Sequence, residues 1–300
     1  MKDLKNKNCF ITGAASGIGR SFALNLANEG MNLYISDINI ENLKKVVQEV
    51  EGLGVEVYAS KCDVSKFEDF QATAKDFYSK LGELDLLINN AGIAIGGDLL
   101  EINLEDWRKV LDVNLWSIIF SLNVFLARMM ERKSGHIVNV ASGAGLFGSS
   151  EPLPYITSKF AVIGLSEALF GQLNSFGINV SVIVPTYIRT NIFSTAQIKY
   201  SQKLEEAIGK EKLEQIYKDL LNEMTSKAIP PDRAVKKYIK GIKNNQLYIY
   251  DSKGILTLLG LKGNQQHYEK FLIDYNQNAI NVSKEHFLKY GINLDDFKQL

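Results

Sequence analysis

Tyr155 and Lys159 stand four residues apart in a segment, Pro154–Phe176, whose apolar spacing predicts a helix. That spacing puts both side chains on one helix face. A phenol with an ordinary pKa of ~10 is a poor base at neutral pH, and a neighbouring ammonium favours the phenolate. The pair therefore has the composition of an acid/base group for a secondary alcohol, taking the hydroxyl proton in one direction and returning it in the other. Ser142 lies 13 residues before Tyr155, at the end of the predicted strand His136–Ala141. Strand ends of this kind line ligand crevices, and a hydroxyl there can hydrogen-bond a substrate oxygen as charge develops on it. Singly, a helical Tyr–Lys pair is most often a surface pair and a strand-end serine a turn residue.

A second group of residues has the composition of an anion cradle. The stretch ITGAASGIG, Ile11–Gly19, follows an apolar run and precedes a helical pattern. Gly13 lets the chain turn sharply as it leaves the strand. Gly17 and Gly19 remove side chains where a pyrophosphate and the sheet must approach the helix. The backbone N–H groups at the helix start, around Ser16, Gly17, Ile18 and Gly19, are then free to hold a phosphate. A glycine pattern alone is also what any tight strand-to-helix turn needs. Asp37 adds weight, since it ends the second predicted strand 20 residues after Gly17. A carboxylate there accepts hydrogen bonds from an adenosine ribose and repels a 2′-phosphate, which favours NAD over NADP. No lysine or arginine stands beside Ser16 or Asp37 to offset it.

The elements that must carry these residues alternate. Strand-length apolar runs fall at Cys9–Thr12, Asn32–Ser36, Val55–Cys62, Leu84–Asn89, His136–Ala141, Asn179–Val184 and Leu247–Tyr250. Several, such as LDLLIN and VSVIV, are apolar without interruption, as suits parallel strands buried on both faces. Helical patterns lie between them at Ile18–Glu29, Glu41–Val50, Ser65–Leu81, Glu105–Met130 and Pro154–Phe176. The fold class predicted is α/β, a Rossmann-like doubly wound parallel sheet of about seven strands with helices on both faces. No Pro/Gly/Ser-rich linker divides the chain, so one domain is expected over residues 1–300, with an insert at about 187–230 and a C-terminal extension at about 252–300.

With these residues in order, the sequence resembles the short-chain dehydrogenase/reductase family. The glycine motif has that family's spacing, three residues between Gly13 and Gly17. The likeness continues through CDV (Cys62–Val64), NNAG (Asn89–Gly92), VNL (Val113–Leu115), VASGAG (Val140–Gly145) and YITSK (Tyr155–Lys159). The resemblance implies that Asp63 contacts the adenine with Val64 packed beside it, and that Asn90, Ala91 and Gly92 close the strand end beneath the cofactor. It implies that Lys159 also binds the nicotinamide ribose, with Tyr155 beside it, and that Asn114 helps hold a water linking Lys159 to solvent. Past the sixth strand, Pro185, the backbone of Ile188 and Thr190 match positions that touch the nicotinamide. The family usually has Pro-Gly here and this chain has Pro185-Thr186, a change expected to stiffen the turn. The insert is implied to cover the substrate, and the long apolar helices imply a homodimer or homotetramer.

The function expected is an NAD-dependent oxidoreductase acting on a secondary alcohol or ketone. An NADP-linked carbonyl reductase and a non-catalytic nucleotide-binding sensor stand as alternatives. The residues expected near the pocket, Ala144, Leu146, Phe147, Pro152 and Tyr187, are mostly apolar and lean towards an apolar substrate. The formal net charge is +0, so no basic footprint for nucleic acid or anionic membrane is present. His136, His267 and His286 are scattered and no metal is expected. The two cysteines, Cys9 and Cys62, fit a reducing compartment. No signal peptide or membrane span is read, so the location expected is cytoplasmic.

Overall fold

The structure is a computed structural model that describes residues 2–148, 152–190, 192 and 195–297. Parts of the expected insert (191 and 193–194) and the last residues of the C-terminal extension (298–300) lie outside the described residues. Seven strands form one parallel sheet: β1 (Asn8–Thr12), β2 (Asn32–Asp37), β3 (Val57–Lys61), β4 (Leu86–Asn89), β6 (Gly135–Val140), β7 (Ile178–Val184) and β9 (Tyr248–Tyr250). Their order is β3-β2-β1-β4-β6-β7-β9. The winding direction reverses between β1 and β4, and in such sheets the crevice outside the strand C-termini at that point receives the ligand. The seven predicted strands all form.

Alternation along each strand divides the core. Cys9 and Ile11, Leu33 and Ile35, and Leu86 and Ile88 face a layer made by α1 (Gly17–Asn28), α2 (Ile40–Glu51) and α9 (Pro231–Lys243). Phe10, Tyr34 and Leu87 face the opposite layer, of α3 (Phe67–Leu81), α5 (Ser117–Arg132) and α6 (Leu153–Leu173). The period of two explains why the uninterrupted apolar runs were needed, since both faces are covered. On the second face Phe10 lies 5.0 Å, centroid to centroid, from Phe125 and 5.5 Å from Tyr34.

The long helical segment expected at Glu105–Met130 is three pieces in one rod: α4 (Leu104–Leu111), a π-helical stretch Asp112–Trp116, and α5. Taken together, Leu104–Arg132 is long and apolar enough to cross a membrane by length and composition. This corrects the expectation that no stretch reaches that length. Within the fold, Phe125 and Met129 of this rod are buried against the sheet.

Two features were not foreseen. β5 (Ile95–Gly97) and β8 (Gln197–Lys199) pair in parallel as a small separate sheet. It ties the chain after β4 to the insert, and the Lys199 ammonium pairs with the buried Asp106 at 3.1 Å. The C-terminal extension folds as α10 (Gly254–Leu261) and the long α11 (Gln265–Leu288). Among the described residues, the buried side chains of the insert helices α7 (Gln202–Ile208) and α8 (Lys210–Thr225) lie outside the clusters packed on the main sheet. Leu204, Leu213 and Ile216 instead share a small core with Phe287 and Ile292 from the chain end.

Candidate functional site

The switch point opens into a cavity of about 1280 Å³. That exceeds the ~300–1,000 Å³ of a single small-ligand pocket and suits a dinucleotide with a second molecule beside it. Its floor is the glycine turn between β1 and α1. Gly13 and Gly17 hold φ of +66° and +52°, where a side chain is strained. A Cβ on Gly13 would lie 2.8 Å from the Ala91 Cα, and one on Gly19 only 2.2 Å from the Gly13 carbonyl oxygen. These glycines let helix, turn and neighbouring strand end touch. Gly13, Ser16, Gly17 and Ile18 line the cavity, whereas Gly19 sits behind them as a packing position.

Asp37, Ile38, Asn39, Asn42, Cys62, Asp63 and Val64 also line the cavity. One Asp37 carboxylate oxygen accepts from the Ala15 N–H at 2.9 Å and the other from the Asn39 N–H at 2.8 Å. The glycine turn thus fixes the carboxylate, and each oxygen keeps a lone pair for a further donor. Arg20, the cation one helical turn along α1, is committed to Glu49 at 2.6 Å. Arg108 and Lys109 on α4 also line the cavity, in company with Glu105 and Asp112. Partial burial works to raise the Asp63 pKa, but hydrogen bonds from Ser65 and the Lys66 charge outweigh it and the net shift is down. Ser65 Oγ donates to Asp63 at 2.6 Å, so that carboxylate shapes its own turn as well as lining the cavity.

Asn90, Ala91 and Gly92 line the cavity above the switch point. The Asn90 side chain donates to the carbonyls of Thr12 at 2.9 Å and Gly13 at 3.0 Å. The Thr12 hydroxyl accepts from the N–H groups of Asn90 and Ala91 in return. Asn90 therefore binds one strand end to the other. Thr12, in the glycine motif, is its partner in this tie.

Lys159, Tyr155 and Ser142 all line the same cavity. The Lys159 Nζ donates to the Val140 carbonyl at 3.0 Å and lies 5.6 Å from the Tyr155 ring centroid. Its side chain is buried, and burial pulls its pKa down to about 8. Ser142 Oγ accepts from the Ala144 N–H at 3.2 Å, which caps a short turn and leaves the hydroxyl proton to donate. Asn114 does not line the cavity. It is buried one layer back in the π-helical stretch, a kind of bulge that recurs at functional sites. Its Oδ1 accepts from the Ile93 N–H at 2.8 Å, and its Nδ2 donates to the Ile93 carbonyl at 3.0 Å and to Ser158 Oγ at 2.9 Å. A Cβ on Gly92 would lie 3.4 Å from Asn114 Oδ1 and 3.5 Å from Lys159 Nζ, so the two side chains flank one glycine. Ser158, the partner of Asn114, carried no signal in the sequence.

Pro185, Ile188 and Thr190 line the far side. Thr186 does not adopt a positive φ, since among the described residues only Asn6, Lys133 and Asn245 do so outside glycine. The turn that is Pro-Gly elsewhere therefore accommodates a threonine without strain. Of the apolar residues expected at the pocket, Ala144, Phe147 and Tyr187 line it. Leu146 is buried in the core instead, and Pro152 sits against Gly96 of β5. The insert contributes lining only up to Thr195 among the described residues. The C-terminal extension also walls the cavity, through Ile255, Leu258, Leu261, Phe271 and Tyr275. Phe147 meets Phe271 at 5.5 Å and Tyr275 at 5.2 Å, centroid to centroid. No cluster of three or more metal-ligating side chains occurs among the described residues.

The glycine cradle, the fixed Asp37 carboxylate and the cavity fit a nicotinamide dinucleotide. Comparison with known proteins agrees. The family model for short chain dehydrogenases matches residues 7–201. A cyclohexanol dehydrogenase from Acinetobacter sp. is 39% identical over 191 residues, 63% of this chain and 76% of the relative. A short-chain dehydrogenase/reductase structure from Burkholderia phymatum in complex with NAD is 29% identical, with a TM-score of 0.78 over 90% of this chain and 97% of that one. A metagenomic short-chain oxidoreductase in complex with NADP is 30% identical, with a TM-score of 0.59 over 61% of this chain and 83% of that one.

Proposed function

The chain belongs to the short-chain dehydrogenase/reductase family of Rossmann-fold oxidoreductases, and from that premise we propose that it is an NAD-dependent dehydrogenase of apolar secondary alcohols, or reductase of the matching ketones. The observation that carries the reading is that Ser142, Tyr155 and Lys159 line the same cavity as the glycine turn, with the Lys159 ammonium 5.6 Å from the Tyr155 ring centroid. The bound nicotinamide would accept or donate the hydride. Ser142 would hold the substrate oxygen. The Tyr155 hydroxyl would take or return its proton, and the Lys159 ammonium would favour the phenolate and hold ribose hydroxyls. Asn114 would keep the Ile93 backbone and Ser158 in register behind Lys159.

Asp37 supports NAD over NADP, because its fixed carboxylate repels a 2′-phosphate and the nearby Arg20 is engaged by Glu49. The aromatic and aliphatic wall from Phe147, Ile255, Leu258 and Phe271 supports an apolar substrate. Exposed Trp116, Phe160 and Phe170 on the long helices support a homo-oligomer. The test is Tyr155→Phe. Turnover is expected to fall by at least ~100-fold, as loss of a general acid/base does, with NADH affinity within about twofold of the parent. A variant that keeps its turnover would remove Tyr155 from the mechanism.

A further inference from the structure

The turn that carries the far side of the cavity is locked to a single buried carboxylate, Asp251, just past the end of β9. Thr186 donates to it twice. Its N–H meets Asp251 Oδ2 at 3.0 Å and its hydroxyl meets Oδ1 in a short hydrogen bond. The Tyr238 hydroxyl, from α9, donates to the same Oδ2 at 2.6 Å. The Lys237 ammonium donates to the Asp251 backbone carbonyl at 2.8 Å. Asp251 is 6% exposed and Tyr238 is fully buried, so these donors satisfy the carboxylate in place of water.

The lock sits at a junction. On one side of Thr186, the Pro185 carbonyl accepts from the Gly143 N–H at 2.8 Å, next to Ser142. On the other, Tyr187 and Arg189 pair with Ile229, which fixes Ile188 and leads to Thr190. Directly after Asp251 come Ser252, Gly254 and Ile255, which line the substrate wall. One carboxylate thus holds the cofactor-side turn and the root of the substrate-side helix α10 in fixed relation.

We propose that Asp251, through the Thr186 hydroxyl, is a positioning residue that sets the cofactor-side turn Pro185–Thr190 against the substrate wall. A glycine at 186 has no hydroxyl to give. The threonine and the buried acceptor therefore form a matched pair that replaces backbone freedom with a side-chain anchor. Asp251 does not line the cavity, whereas Thr186 does, between Pro185 and Tyr187. Their effect is on the separation and angle of what they hold, where displacements near 1 Å cost up to ~100-fold in rate.

This inference rests on the dehydrogenase reading above, and the experiment separates the two. Thr186→Val keeps the β-branched shape and removes the hydroxyl, and Thr186→Ser restores the hydroxyl in a smaller frame. NADH affinity by fluorescence titration, kcat, KM for the alcohol and Tm are measured on both and on the parent. Thr186→Val is expected to weaken NADH binding and lower kcat, each by between about 10- and 100-fold, while Thr186→Ser stays within about threefold of the parent. Tyr238→Phe, which loosens the same carboxylate from α9, is expected to move both quantities in the same direction by less. Thr186→Val with parental NADH affinity and kcat, whatever its Tm, would overturn the proposal. Equal loss in the valine and serine variants would overturn it too. A parent that binds NADH but turns over no alcohol would instead count against the dehydrogenase reading, and the NADH titration would still decide whether the anchor sets the turn.

Discussion

Lys159 is asked to carry a charge where charge is costly. Its side chain is buried, and burial lowers its pKa from 10.5 to about 8. Below pH 8 the ammonium persists in the folded and unfolded chain alike, and the burial cost is felt in full. Between about 8 and 10.5 the unfolded chain binds the extra proton, so stability rises with pH across that window. At neutral pH the cost is roughly 3 kcal/mol, against about 1 kcal/mol for the hydrogen bond to Val140. Lys159→Met is therefore expected to melt a few degrees above the parent at pH 7, to lose the stability gain from pH 8 to 10, and to lose turnover. A lower Tm in step with lost activity would show that Lys159 is structural cement instead. That Tyr155, Lys159 and Ser142 line one cavity was legible because they lie in short, ordered motifs. The Thr186–Asp251 lock was not. Its members are 65 residues apart, and the missing glycine after Pro185 was the one hint that something else holds the turn.

At the scale of elements, the approach of α1 to β1 decides whether the cradle exists. A methyl on Gly19 would meet the Gly13 carbonyl at 2.2 Å and the Asn90 amide at 2.6 Å. Backbone atoms cannot move aside, so the helix must shift. Gly19→Ala is expected to lower stability by about 1–3 kcal/mol and to weaken NADH binding at least ~10-fold. Gly164→Ala, in the interior of α6 with nothing within 4 Å of the added atom, serves as the control: it should leave NADH affinity unchanged and raise stability by about 0.5–1 kcal/mol, since alanine is the better helix former. Parental NADH affinity in Gly19→Ala would detach the glycine turn from cofactor binding. The seven sheet strands were readable because burial on both faces writes a dense apolar run for each. β5 and β8 were not, since each is three residues long and is held by the other across about 100 residues. The helix α11 was also missed, because most of its surface is polar, with Tyr268, Phe271, Leu272 and Tyr275 packing inward near its start and Phe287 near its end.

At the scale of the whole molecule, the sheet and the C-terminal extension have separate tasks. The sheet sets the cofactor cleft at its switch point, a consequence of strand order alone. The extension supplies an apolar wall that residues 7–201, the part matched by the family model, do not contain. That division is why cofactor class could be read from motifs while the substrate wall became visible only once α10 and α11 were placed. The central claim is NAD-linked hydride transfer on an apolar secondary alcohol. Its most direct test is one assay on the parent protein: nicotinamide reduction with NAD and NADP in parallel, over alicyclic and aromatic secondary alcohols beside polyols. Turnover with NAD is expected on the apolar alcohols, with kcat/KM for NAD at least ~10-fold above that for NADP and little activity on polyols. Equal use of NADP would contradict the role given to Asp37, and no turnover with either cofactor on any alcohol or ketone would contradict the claim as a whole.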